Sequence, residues 1–379
     1  MPISTPHIWI RTTGELSEYV RSLDGVSALA LDTESDSFFH YFEKVCLLQI
    51  ADDRGRAVLI DPLAFRDLSP LAPVMAEPRV EKLLHGADND IMLLKRDFKF
   101  EFASLFDTQV AARFAGRLEL GLQAVLETEF GVKLSKSLQR CDWSRRPFTE
   151  AQAAYAAEDV RHLISLRDRL LPELRNRGRE DWAREEGEAL ARLEPAPLRE
   201  PADFLKAKGA WDLDGRTLAV LRELFSLRDE WARNADIPLF KIVGDEPLVS
   251  LAIHKPKDVR GLSQTRGLSA ALKGRYAPDI LAAIRRGEAV PDDKLPVRTW
   301  QHRPKPVAGY SKRVDRIKAW RVDAAKKAGL EPGVLLPQRL IERISIDRPV
   351  DMAALAAIPD IRRWRAENFG EEILQAAKV

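Results

Sequence analysis

The stretch 27–34, SALALDTE, is a short apolar run that ends on two acids, Asp32 and Glu34. The runs VCLLQIAD (45–52), AVLIDPL (57–63) and KLLHGA (82–87) have the same character and read as strands. NDIMLLKRDF (89–98) and TQVAARFAG (108–116) instead carry apolar residues at helical spacing. Strands alternating with amphipathic helices predict an α/β unit, a sheet covered by helices. A long helix is expected over 149–171, TEAQAAYAAEDVRHLISLRDRLL, which opens on Thr-Glu, is rich in alanine and contains no Pro or Gly. It should close a first domain spanning 1–194.

The full chain has 379 residues, enough for two or three compact units. Its hydrophobic share of 45% and charged share of 31% are those of an ordinary soluble protein. No apolar run reaches the roughly eighteen residues of a membrane span. The start, MPISTPHIWIRTTGEL, lacks the basic and apolar segments of a signal peptide. A cytoplasmic protein with no membrane partner is expected. Cys46 and Cys141 are the only cysteines and lie in no CxxC or Cys/His array, which argues against disulfides and zinc. Any metal must then take oxygen ligands. With 60 basic and 58 acidic residues the net charge is +2, so the distribution of charge has to identify a partner.

Past Glu194 the prolines 195, 197 and 201 cluster in EPAPLREPADF, which predicts a linker over 195–211. Two helical segments follow, 212–290 and 308–379, separated by a basic linker at 291–307. They are a repeat. An offset of 93 carries Arg228 to Arg321, Ala235 to Ala328, Pro256 to Pro349, Leu262 to Leu355, Tyr276 to Phe369 and Ile280–Leu281 to Ile373–Leu374. One constant offset with matching prolines points to duplication, although two copies do not make a solenoid. Residues 294–321 hold nine Lys or Arg against the single acid Asp315, with Trp300, Tyr310 and Trp320 interspersed. Arg303, Lys305, Lys312 and Arg313 are therefore candidates for phosphate contact and the aromatics for base stacking. A solvated linker joined to a charged helix face with a core Trp fits the same residues.

Asp32 and Glu34, two apart on a strand, project from one face. Adjacent acids repel and raise each other's pKa unless a cation lies between them. Hard carboxylate oxygens suit Mg²⁺ or Mn²⁺. Alone, D-x-E reads by default as a solvated strand end. Tyr155 and Asp159, four apart, share a helix face, where a phenol beside a carboxylate can hold a water. Alone, they are a core aromatic and a surface acid. Asp90 falls at a strand-to-helix turn, where an acid is by default an N-cap. Together, acids from three elements of one unit match the needs of phosphodiester hydrolysis with two cations about 4 Å apart.

The order LDTES (31–35), HGADND (85–90) with FDTQVAARF (106–114), then KSLQRCDWSRRPFTEAQAAYAAEDVRHL (136–163) resembles the DEDD exonuclease superfamily, and the last block is especially similar to ribonuclease D. The resemblance covers about residues 5–190. It implies a ribonuclease H-like α/β domain, a mixed sheet flanked by helices, with 3′→5′ exonuclease activity. It makes Asp32, Glu34 and Asp159 direct ligands of two divalent cations, Asp90 a ligand largely through water, and Tyr155 the residue that positions the attacking water. Ala154, five before Asp159, excludes the histidine subclass. Asp88 lies near Asp90, but the His85–Gly86 opening of the block favours Asp90. Asp107 takes a structural position. Gln49 and His85 fall where the family has groups near the 3′-terminal nucleotide, against the alternative of a strand Gln and a satisfied core His.

Segments 212–290 and 308–379 resemble HRDC domains, small all-α bundles, the second more divergent. A nuclease with two of them is the ribonuclease D arrangement, and no P-loop marks a helicase. The resemblance implies an exoribonuclease that releases nucleoside 5′-monophosphates from RNA with a free single-stranded 3′ end, with tRNA precursors as substrates. A DNA 3′→5′ exonuclease could use the same carboxylates, because discrimination rests on contacts to the 2′-hydroxyl. A non-catalytic RNA-binding scaffold is the other alternative, against which the presence of all four acids and Tyr155 argues. Oligomeric state is not specified by the sequence.

Overall fold

The computed structural model of the protein describes residues 7–195, 202–297 and 308–378. Its first part is a six-stranded mixed sheet in the order β1-β4-β3-β2-β5-β6, comprising β1 (His7–Ile10), β2 (Ala28–Ser35), β3 (Val45–Asp52), β4 (Ala57–Ile60), β5 (Glu81–Leu84) and β6 (Leu105–Asp107). β3 runs antiparallel to both β2 and β4, and the other pairs are parallel. The helices of this part are α1 (Thr13–Ser22), α2 (Ala72–Ala76), α3 (Asp88–Phe98), α4 (Thr108–Phe114), α5 (Leu122–Phe130), α6 (Glu150–Arg161), α7 (Leu163–Asn176) and α8 (Glu180–Ala191).

Strand alternation sends Leu29, Leu31, Leu48, Ile50, Val58 and Ile60 to one face, where they pack with Leu16 and Tyr19 of α1 and Ile91 and Leu94 of α3. Burial of each such Leu or Ile contributes about 1.5–3 kcal/mol. The other face is lined near its middle by Ala28, Ala30 and Ala51, whose small side chains let α4, α5 and α7 settle closely. Further along, Leu47, Ala57 and Leu59 pack under Ala153, Ala156 and Ala157 of α6.

The single helix expected over 149–171 is in fact two. The chain turns at His162, and α6 and α7 are separate. No Pro or Gly marks the break. Its reason is tertiary: the buried alanines of α6 serve one cluster, whereas Leu163, Leu166, Leu170 and Leu174 of α7 serve another. The start reads as expected, with Thr149 capping α6 and Gln152 closing a capping box.

A second compact unit comprises 36–44 and the described residues 202–297. Its helices are α9 (Gly215–Ala235), α10 (Leu239–Ile242), α11 (Asp245–His254), α12 (Val259–Ser263), α13 (Ala270–Lys273) and α14 (Ala277–Glu288). Phe204, Ala207 and Ala210, inside the expected linker 195–211, are buried in its core, so the bundle begins before residue 212. Segment 36–44 belongs to this unit through Asp236, whose carboxylate accepts from the amides of Tyr41 (3.0 Å) and Phe42 (3.1 Å).

The other bundle consists of α15 (Tyr310–Ala328), α16 (Pro332–Leu335), α17 (Gln338–Asp347), α18 (Met352–Ala356) and α19 (Arg363–Ala377), and clusters with the nuclease in one unit. The offset of 93 extends to its fine structure. Arg228 and Arg321 each donate to the main-chain oxygen fifteen residues on, Val243 (3.1 Å) and Leu336 (3.0 Å). Asp258 and Asp351 each cap a short helix, accepting at 2.7 Å from Gly261 and Ala354. Lys255 and Arg348 take the same left-handed turn, at φ 45° and 51°. The copies part at Gly274, which ends α13; its counterpart Glu367 continues α19 unbroken. Among the described residues no helix is long and apolar enough to cross a membrane.

Candidate active site

Asp32 and Glu34 stand at the carboxyl end of β2, on the face beneath α6, and α6 brings Tyr155 and Asp159 over them. One oxygen from each of Asp32, Glu34 and Asp159 lies within 4.8 Å of the others. This set contains three carboxylates and neither thiol nor imidazole, the donor chemistry of a hard divalent cation. Asp90 approaches from the opposite layer, in the first turn of α3, and accepts a short hydrogen bond from the Thr33 hydroxyl. It lies outside the three-carboxylate cluster but lines the same cleft of about 390 Å³. Asp88 is exposed and does not face the cleft.

Without a counter-charge this crowding is costly, and the carboxyls respond. Burial, reinforced by the charges of Asp90, Asp159 and Glu34, holds Asp32 well above the usual carboxylate range. Burial and the neighbouring Asp159 push Glu34 up to about 9. Burial raises Asp159 to about 7 against the opposing hydrogen bond from the Tyr155 hydroxyl, and Asp90 to about 6 against that from Thr33. The phenol of Tyr155 is raised too, by burial and then by Asp159, Glu34 and Asp32, so it stays protonated. Its ring is backed by Trp143, with centroids 6.0 Å apart.

His85 lines the cleft, but both ring nitrogens are engaged, Nδ1 with the Thr108 hydroxyl (2.9 Å) and Nε2 with the Leu120 carbonyl (2.7 Å). Asp107 holds the turn before α3, accepting from Gly86 (3.1 Å) and Ala87 (2.9 Å) while capping α4 through Gln109 (2.7 Å). Gly86 needs its left-handed φ of 77° there.

Two other expected contacts, those of Gln49 and Arg313, are not met. Gln49 is fully buried and does not line the cleft, so it cannot touch a nucleotide. Arg313 is only 5% exposed, its guanidinium donating to the carbonyls of Ser345 (2.9 Å) and Ala308 (3.0 Å), which removes it from any phosphate-binding surface. Trp320 packs against the second bundle's core with its indole N–H on Glu372 (2.7 Å). Lys312 is exposed on α15, and Arg303, Lys305 and Trp300 lie outside the described residues. Sequence reasoning passed over Thr33, which sets Asp90, and Lys136, the one Lys or Arg lining the cleft among the described residues. Lys136 stands in the block KSLQRCDW, so its signal was present but unweighted.

Residues 7–175 match the 3′-5′ exonuclease family model, and 217–284 and 311–377 each match the HRDC domain. The ribonuclease D of Escherichia coli (strain K12) is 31% identical over 367 residues, 96% of each chain. The chain belongs to the ribonuclease D family. Ribonuclease D of Pseudomonas paraeruginosa is 30% identical over 386 residues, 99% of both proteins. The crystal structure of E. coli RNase D, titled an exoribonuclease involved in structured RNA processing, aligns over 98% of each chain with a TM-score of 0.77 and 28% identity. The catalytic core of RRP6 from Trypanosoma brucei aligns over 76% of this chain and 82% of its own, with a TM-score of 0.66 and 27% identity. As a ribonuclease D, the protein is a 3′→5′ exoribonuclease, a phosphodiester hydrolase, with the nuclease-plus-two-HRDC composition expected from its sequence.

Proposed function

We propose that this ribonuclease D trims structured RNAs with short single-stranded 3′ tails, tRNA precursors among them, and that Mg²⁺ or Mn²⁺ is its cation. Asp32, Glu34 and Asp159 would hold the cations directly, with Asp90 reached through water. The observation that carries the reading is the convergence of these three carboxylates within 4.8 Å beside a tyrosine hydrogen-bonded to one of them. Bound divalent cations supply the positive charge that offsets the carboxylates, acidifies the attacking water and stabilises the departing 3′-oxygen.

The chain's own residues do the rest. Tyr155, kept protonated, donates to Asp159 and offers its oxygen lone pairs to the attacking water. It orients the nucleophile and does not act as a base. Lys136, which lines the cleft with the acids, would offer its ammonium to the scissile phosphate. Water's oxygen bonds to phosphorus as the bond to the 3′-oxygen breaks, and the proton lost by water balances the one gained by the new 3′-hydroxyl. A nucleoside 5′-monophosphate leaves, and the strand advances. A cleft of about 390 Å³ is near the small end of ligand pockets, suited to one terminal nucleotide at a time.

The test is a time course on a 3′-tailed tRNA and on single-stranded DNA, each with a free or blocked 3′ end, in Mg²⁺ and in Mn²⁺. Stepwise mononucleotide release from the free-ended RNA is expected. Rapid loss of DNA with the tailed tRNA intact would overturn the RNA assignment.

A further inference from the structure

Gln49 lies on β3 directly opposite Asp32 in the antiparallel ladder. Cross-strand partners project from the same face with Cβ atoms about 4.5–5.5 Å apart. That face is the one beneath α6. Leu47, two residues earlier on the strand, and Leu59, the partner of Gln49 on β4, both pack against the alanines of that helix. The Gln49 side chain therefore occupies the space behind Asp32, on the side away from the cleft.

It is 0% exposed, and among the described residues it is the one whose side-chain nitrogen and oxygen are both buried without a hydrogen-bond partner. An unpaired primary amide in an apolar layer is unfavourable, and a leucine there would extend the packing of Leu47 and Leu59. The amide is therefore held for a partner, and the ladder places a carboxylate beside it. A carboxylate that binds a cation with one oxygen has further lone pairs to satisfy, and fixing them sets its orientation.

We infer that Gln49 is a positioning residue for Asp32, its side-chain N–H donating, directly or through one buried water, to the Asp32 carboxylate in the cation-loaded site. The amide would lock the rotamer of Asp32 so that one oxygen faces the cleft. It never touches RNA, so it should act on cation affinity and turnover and not on RNA binding. The inference rests on the carboxylate-site reading above.

The test uses the full chain with Gln49→Met, close in length and lacking the hydrogen bonds. Mn²⁺ affinity is measured by calorimetry, the melting temperature without cation, and kcat and KM on a 3′-tailed RNA. Removing a group that hydrogen-bonds a metal-binding side chain typically changes metal affinity or activity by about 10–100-fold. About a 10-fold weaker Mn²⁺ affinity and a similar fall in kcat are expected, with KM within about twofold and the cation-free melting temperature unchanged or higher. Wild-type cation affinity and kcat in the folded variant overturn the proposal, as does a lowered melting temperature with both preserved. Should the variant not fold, a crystal structure of the wild-type protein with Mg²⁺ decides. An amide bonded to Asp32 directly or through one water supports the role, and an amide left unpaired or bonded elsewhere overturns it. Loss of cleavage in Asp32→Asn with normal behaviour of Gln49→Met would sink this inference alone, whereas normal cleavage in Asp32→Asn would sink the site reading beneath it.

Discussion

At the scale of residues, the acid cluster proposed to hold the cations also makes stability depend on pH. The folded-state carboxyls of Asp90, Asp159 and Glu34 sit at about 6, 7 and 9, above the ordinary value near 4. The cation-free folded protein thus binds more protons than the unfolded chain over this range. Stability from these groups is fully present below about pH 4 and is lost as pH rises through 6, 7 and 9. Cation binding at the proposed site would reverse the loss. The melting temperature in EDTA is expected to fall between pH 6 and pH 9, and the gain from saturating Mg²⁺ to be larger at pH 9; equal gains at both would contradict it. Tyr155→Phe keeps the ring against Trp143 but removes the hydroxyl, and misplacing a nucleophile costs roughly 10²-fold. A fall in kcat of about that size with KM unchanged is expected from single-turnover assays. The shared face of Asp32 and Glu34 was legible from the strand period of two, and that of Tyr155 and Asp159 from the i, i+4 spacing on a helix, whereas their roles rested on the family resemblance. The burial of Gln49 and Arg313 was not legible, since it depends on what packs over them.

At the scale of elements, local signals located four of the six strands and the starts of α3, α4 and α6, but not every break. The turn at His162 has no Pro or Gly because its cause lies in the two clusters that α6 and α7 serve. The repeat was legible from its offset, and the break at Gly274 is where local sequence divides the copies. Helix α8 presses on β6 at Gly187, where an added Cβ would lie 2.0 Å from the Leu105 carbonyl oxygen. Gly187→Ala must push α8 off the sheet edge, an overpacking cost of about 1–3 kcal/mol. A lowered melting temperature measured by circular dichroism is expected, and an unchanged one would mean the edge yields freely.

At the scale of the whole molecule, the second bundle shares one compact unit with the nuclease. The second was expected as a separate domain, yet it is knitted into the nuclease. Trp364 stacks on Trp182 at 4.4 Å and meets Phe114 edge-on, and its amide and indole N–H donate to Glu185 (2.9 Å) and Glu186 (3.1 Å). Arg362 also donates to Glu186, at 3.0 Å. Trp364→Ala would leave a cavity in the nuclease core worth about 3–5 kcal/mol. It is expected to lower thermal stability and weaken nuclease activity near the transition without altering the cleavage pattern, as read by melting curves and product ladders; full stability would show the seam to be superficial. The duplicated sequence could not show that the second bundle packs on the nuclease, because that depends on the aromatics it meets. The most direct measurement is cleavage and binding of a 3′-tailed RNA by Asp32→Asn in Mg²⁺. The predicted result is loss of mononucleotide release by at least ~10²-fold with RNA affinity retained, and release at the wild-type rate would contradict the four-carboxylate site.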